Sequence, residues 1–266
     1  MRKVRRSPPD LDPAMTARIE RAKAELKAYF DGGEVGERPH INPDLYKLYR
    51  DALLDEFHYK CAFCDRSLRA QIKGDVEHIR PKSGVRDMRG TRVMRRTDST
   101  RRHPGYWWLA YEWKNLVVAC RDCNSAHKLE RFPVERDYYA ECEGEADVAL
   151  LVHHHEDKDD PIDNFLVNTA TGDLILVTTK GTYTVDLFDL NRETMRDERM
   201  QALRGVEQNL TTALDRTKID NVRQASLHAL REVEEGVAAL SYFCKKYLDE
   251  CLAQARAVIS SVSNLL

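Results

Sequence analysis

The spacing of apolar and polar positions divides the chain into stretches of different period. In residues 12–30, Met15, Ile19, Ala22, Leu26 and Phe30 recur every three to four positions among good helix formers, and Gly32-Gly33 stops the run. This predicts an amphipathic helix. Asn42 as N-cap and Pro43 at the first helical position predict a second helix through Leu45, Leu48, Leu53 and Leu54 towards Phe57. The period then shortens. Residues 61–64 read as a tight turn, 75–79 and 116–119 as strands, and 124–129 as the start of a helix. The order is ββα, with a long loop between the strands.

Further along, the runs 148–152, 165–167, 174–178 and 183–185 are separated by turn formers such as Thr171-Gly172-Asp173 and Lys180-Gly181, which predicts a small antiparallel sheet. From about Arg192 the pattern is helical. Ile219, Val222, Leu227, Leu230, Val233, Val237, Leu240, Cys244, Tyr247 and Cys251 form one apolar stripe if the helix is unbroken, expected to pack on the N-terminal helices. The expected organisation is an N-terminal helical segment (1–57), a core (58–135), an acidic segment with a small sheet (136–190) and a C-terminal helical region (191–266). No internal repeat or low-complexity tract interrupts it.

The 266 residues suffice to bury a core, and with 32% charged residues no run approaches the roughly 18–20 apolar residues of a membrane span. The basic start, Met1-Arg-Lys-Val-Arg-Arg, leads into no apolar stretch, so a soluble, cytoplasmic protein without a secretory signal is expected. Seven cysteines, an odd number, fit a reducing compartment, where close pairs more often hold metal than form disulfides.

The 42 basic and 44 acidic residues leave a net charge of −2, which by itself argues against a polyanionic partner. The distribution reverses that. Segment 80–102 carries nine basic residues, Arg80, Lys82, Arg86, Arg89, Arg92, Arg95, Arg96, Arg101 and Arg102, against Asp87 and Asp98, a local +7. Segment 135–163 carries eleven acids against Arg136 and Lys158. The expectation is a chain with two separate poles, whose basic loop tracks phosphates; the plainer reading of such a run is a solvated insertion.

Cys61-Ala-Phe-Cys64 and Cys120-Arg-Asp-Cys123 are two CxxC pairs on predicted turns. Four thiolates complete a tetrahedral Zn²⁺ shell with no open position, so the expected site is structural. The 55 residues between the pairs exceed a simple zinc ribbon, so something is inserted between the knuckles. Cys142, Cys244 and Cys251 have no partner at ligand spacing; Cys244 and Cys251 read as buried small hydrophobes.

Inside the insertion lies Asp75-Val-Glu77-His78-Ile-Arg-Pro81; Trp113-Lys-Asn115-Leu precedes the second pair, and Cys123-Asn124-Ser-Ala-His127-Lys128 follows from it. In spacing and order these segments resemble the HNH endonucleases of the ββα-metal type, in their zinc-knuckle branch. The resemblance implies an α+β fold: a zinc-stapled ββα-metal core flanked by N-terminal helices, the small antiparallel sheet and long C-terminal helices. It implies that His78 is the general base, that Asn115 orders the loop and orients the base, and that Glu77 and Asn124 hold a catalytic Mg²⁺ or Mn²⁺, an ion suited to oxygen ligands. His127 is a weaker candidate ligand.

Glu77 and His78 are adjacent in a strand and should point to opposite faces, against the shared site the resemblance requires. Arg80, Lys82, Arg86, Arg89, Arg92, Arg95, Arg96 and Lys128 are the expected nucleic-acid contacts. The aromatics of segment 103–113 either stack on bases or pack around the knuckles, and packing is expected for Trp108 and Trp113. His153-His154-His155 lies among acids and is not taken as a metal site. Flanking features, among them Tyr106-Trp107-Trp108-Leu-Ala-Tyr111 and Leu190-Asn-Arg192, are similar to the HNH subunits of Septu and retron-associated anti-phage systems. Those subunits work with an SMC/ABC-like ATPase partner on DNA. RNA, such as tRNA, is the alternative substrate, and a decayed zinc-stabilised binding module the alternative class.

Overall fold

Helices and strands form where local chemistry favours them. In a computed structural model, described for residues 4, 6–69, 74–153 and 160–263, with side chains to 254, α1 spans Pro13–Asp31. Asp12 caps it by accepting from the Ala14 amide, and Gly32 sits at its C-terminus. The second predicted helix is broken. Asn42 caps α2 (Pro43–Tyr46), a 3₁₀ turn follows at Lys47–Tyr49, and α3 covers Arg50–Glu56.

β1 (Gly74–His78) and β2 (Leu116–Cys120) pair antiparallel, with His78 opposite Leu116. The helix of the ββα unit is a single π-helical turn, Asp122–Lys128. Every residue of β2 is buried, and α3 packs on both strands. Arg6 extends this core from the N-terminal side: its guanidinium lies over the Trp113 ring and donates to the Trp113 and Leu116 carbonyls. The expected inward packing of Trp113 holds; Trp107, buried, stacks on Phe30, and Trp108 is half-buried.

The expected small sheet is reduced to two strands, β3 (Phe165–Val167) and β4 (Leu174–Leu176). Segment 148–152 stays outside it, tied to the chain after the core by a bridge between Val134 and Ala149. Residues 183–185 lie inside α4 (Thr179–Phe188), capped by Thr178, whose hydroxyl accepts from the Gly181 amide. Three alternating residues were too few to separate the two periods, and the cap decided.

The C-terminal stripe is broken as well. α5 (Glu193–Leu214), α6 (Asp220–Glu234) and α7 (Ser241–Ser263) pack on one another rather than on the N-terminal helices. The break between α6 and α7 falls at Gly236, with φ of 80°, and Leu240. Ile219 and Val222 at the start of the stripe are exposed; Leu230, Val233 and Cys244 are buried, and Cys251 is only partly covered. The architecture is α+β, and no described helix is long and apolar enough to cross a membrane.

The α6–α7 break docks on the first cysteine turn. Lys60 and Asp65 form a buried ion pair at 2.9 Å. Lys60 also donates to the Gly236 carbonyl at 2.6 Å and the Ser241 hydroxyl at 2.8 Å, and the Asp65 carbonyl accepts from the Leu240 amide at 3.0 Å. Asp65→Ala strands a buried ammonium and is expected to cost about 3–5 kcal/mol in urea denaturation. Lys60→Met with Asp65→Leu removes both charges and should recover much of that loss; if the double variant is no more stable than Asp65→Ala, the unpaired charge is not the cause.

Candidate metal centre and active site

The two CxxC turns meet at the base of the β1–β2 ladder. The Sγ atoms of Cys61, Cys64, Cys120 and Cys123 all lie within 4.8 Å of one another, and all four residues are buried. Cys64 Sγ and Cys120 Sγ are 3.8 Å apart, matching the roughly 3.8 Å edge of a tetrahedron with Zn–S bonds of about 2.3 Å. The Cys120 amide donates to Cys61 Sγ at 3.3 Å, orienting that sulfur. Hydrogen bonds from Cys123, Cys61 and Cys64 pull the Cys120 thiol down, whereas Cys64 and Cys123 are pushed up. A group that favours one thiolate while resisting several is what a divalent cation relieves. These residues can hold a metal ion such as zinc.

At the other end of β1, His78 is buried and its Nε2–H donates to the Ala110 carbonyl at 2.8 Å. That fixes the tautomer and leaves Nδ1 with its lone pair. Lys82 Nζ lies 3.4 Å from Nδ1 and over the Tyr46 ring, which itself meets the imidazole edge-on at 4.7 Å. Asn115 braces the chain just after His78. Its Oδ1 accepts from the Arg80 amide at 2.8 Å, and Nδ2 donates to the Arg80 carbonyl at 3.0 Å and the Leu109 carbonyl at 3.1 Å. One side chain therefore joins the strand end carrying His78 to the segment whose Ala110 holds it.

The tension between Glu77 and His78 has a geometric answer. Glu77 does take the opposite face, where Lys128 Nζ meets its Oε1 at 2.8 Å. The two faces communicate at the strand end: Lys82 and Lys128 both oppose protonation of His78, and Glu77 acts on Lys82. Asn124 is half-exposed and precedes Lys128 by one π turn, so the two share a face. It is the third residue of the turn. Glu77 Oε2 and the Asn124 amide are oxygen donors of the kind Mg²⁺ or Mn²⁺ takes, so the donor types fit such an ion, with Oε1 shared with Lys128.

Three expectations need correction. His127 lies elsewhere on the turn: burial lowers its pKa, and its charged neighbours are Arg192, Asp189 and Asp122 rather than Glu77. Lys128 is fully buried against Glu77 and offers no surface to a nucleic acid. The two charge poles are not separate. Arg80 pairs with Asp147 at 3.2 Å, Arg96 with Glu145 at 2.6 Å and Glu141 at 3.5 Å, and the acidic segment thus folds onto the basic one. Outside the acidic segment, Glu34 takes both Arg95 and Arg101, and Glu130 takes Arg86. His153 is buried; His154 and His155 lie outside the described residues. Tyr46 and the Ala110 carbonyl were not anticipated, because helix periodicity marks Tyr46 only as core and a carbonyl leaves no trace in sequence.

Desolvation, then Lys82 and Lys128, push His78 down to about 3, and burial lowers His103, whose Nε2 faces the Ala140 carbonyl at 2.9 Å. Both fold as neutral rings. A histidine depressed in the folded state contributes stability that is intact above its unfolded pKa, near 6.5, and is lost as pH falls towards 3. Between pH 6.5 and 5, His78 alone should account for about 2 kcal/mol of lost stability. Urea melts of wild type and His78→Asn at both pH values check this; equal acid sensitivity would refute the neutral, buried ring.

The chain thus joins a cysteine centre, a braced histidine and, on the other face of β1, Glu77 held by Lys128. No family model matches it, and no solved structure matches it. Over 168 residues, 62% of the chain, it is 26% identical to the Septu protein PtuB of Bacillus mycoides (strain KBAB4). The aligned stretch covers 54% of that protein, so the chain spans about half the length of the curated relative it resembles.

Proposed function

We propose that the protein is a metal-dependent HNH endonuclease that hydrolyses phosphodiester bonds of DNA as the effector of an anti-phage defence system. The observation that carries the reading is the His78 ring, tautomer-locked by the Ala110 carbonyl and framed by the Asn115 brace, with Nδ1 left to accept a proton. The likeness to the Septu protein PtuB supports the defence role; an SMC/ABC-like ATPase is the partner that the resemblance of the flanking segments implies.

His78 Nδ1 takes the proton from the attacking water. Burial and the Lys82 charge hold the ring neutral near neutral pH, so that Nδ1 is unprotonated there. Lys82, beside Nδ1, places positive charge where a scissile phosphate would sit and draws that phosphate to the base. Asn115 holds the loop so that neither group drifts. Glu77 and Asn124 would hold Mg²⁺ or Mn²⁺, which supplies charge neutralisation at the phosphate and leaving oxygen when bound. Lys128 Nζ, 2.8 Å from Glu77 Oε1, aims the carboxylate. The four cysteines would hold Zn²⁺ and fix the base of the ladder.

The test is cleavage of supercoiled plasmid by the purified protein with added Mg²⁺ or Mn²⁺, alone and with the ATPase, run beside total tRNA. Products with 5′-phosphate and 3′-hydroxyl ends on plasmid support the reading. Cleavage confined to tRNA moves the substrate to RNA, and no cleavage of either with the partner present overturns the nuclease reading.

A further inference from the structure

The ion pairs sort the arginines of segment 80–102 into two groups. Arg95 and Arg101 share Glu34, Arg96 holds Glu141 and Glu145, Arg80 holds Asp147, and Arg86 holds Glu130. Arg89, Arg92 and Arg102 are exposed and meet no carboxylate among the described residues. The backbone explains the division. Bridges pair Arg86 with Arg92 and Met94 with Arg102, and the Val93 amide donates to the Val85 carbonyl while the His103 amide donates to the Val93 carbonyl. The segment is therefore a short antiparallel ladder of three runs, not a free loop.

Side chains alternate across such a ladder. Arg92, Met94 and Arg102 fall on one face, and all three are exposed. Arg95 and Arg101, the next pair along, fall on the other and pair with Glu34. Arg92 also stands directly opposite Arg86, and like charges in that position are destabilising. No carboxylate among the described residues compensates Arg92 or Arg102, so an anion from outside would. The ladder adjoins the active site at both ends. It springs from Lys82, 3.4 Å from His78 Nδ1, and Arg86 bridges to Arg131, three residues past Lys128.

We infer that the face formed by Arg92, Met94 and Arg102, with Arg89 at the adjoining turn, is the surface that takes the phosphate backbone of nucleic acid, whereas Arg95, Arg96 and Arg101 are committed to ion pairs within the chain. The identity of the polyanion rests on the nuclease reading; the sorting of the arginines does not.

The test is binding of the full chain, carrying His78→Ala so that no probe is cut, to a labelled DNA duplex and an RNA hairpin of matched length over a series of salt concentrations. Each lost contact to duplex phosphate lowers the log–log salt slope by about 0.9. R92Q/R102Q is expected to weaken binding about tenfold or more at low salt and to flatten the slope by about 2. R92K/R102K should restore the slope, and R96Q/R101Q should keep it while lowering the melting temperature. An unchanged slope in R92Q/R102Q, a slope lost in R96Q/R101Q instead, or a parent protein that binds neither probe overturns the inference. Cleavage is not read, so a protein that binds in this way and never cuts would refute the nuclease reading alone.

Discussion

Cys61→Ser is expected to unfold the ββα core and to release one zinc ion per chain. The two-stranded sheet has five residues per strand, and an isolated ribbon of that size is marginal in water. The four sulfurs gather at its base, where Cys61 also accepts the Cys120 amide. Structural zinc in such a site contributes on the order of 10 kcal/mol, as much as the whole stability of a typical domain. The C-terminal helices pack on one another, so circular dichroism should show partial loss of helix together with loss of the tertiary signal from Trp113, which packs against Tyr49 and Arg6 at the head of β2. Elemental analysis reads the ion directly. Stoichiometric zinc retained after Cys120→Ser with Cys123→Ser would sink the four-cysteine site.

His78→Ala should leave the fold and the zinc in place and reduce cleavage by about 10²–10⁴-fold, the usual contribution of a general base. The imidazole lies at the far end of β1 from the cysteines, and its replacement removes the hydrogen bond to the Ala110 carbonyl and the contact with Lys82 Nζ. Asn115→Ala gives a useful comparison. Asn115 touches no reacting atom, so its loss acts through the loop: the rate should fall, and proteolysis of the 80–110 segment should rise. A His78→Ala protein that nicks plasmid as fast as wild type, with full zinc content, would refute the assignment of the base.

The local signals were legible in the sequence. Asp12 and Asn42 act as helix caps, the CxxC pairs form turns, and the ββα order follows from changes of period, because each depends on residues within one turn or one strand of each other. Signals resting on short or composite patterns failed. Segment 183–185 became helix under the Thr178 cap, and the C-terminal stripe broke at Gly236, where Lys60, far away in sequence, receives the chain.

The site divided in the same way. Sequence alone determined which residue types stand at the ends of β1 and β2, and with them the chemistry: four thiolates for a metal, and a histidine between a carboxylate and two amides. Only the tertiary structure decided the partners. It set Lys128 on Glu77 and folded Glu34, Glu141, Glu145 and Asp147 onto the arginines that composition alone had left free. The physical reason is that a charge is neutralised by whatever lies within a few ångströms, and for a chain crossing itself many residues later that neighbour is fixed by packing and desolvation, not by sequence distance.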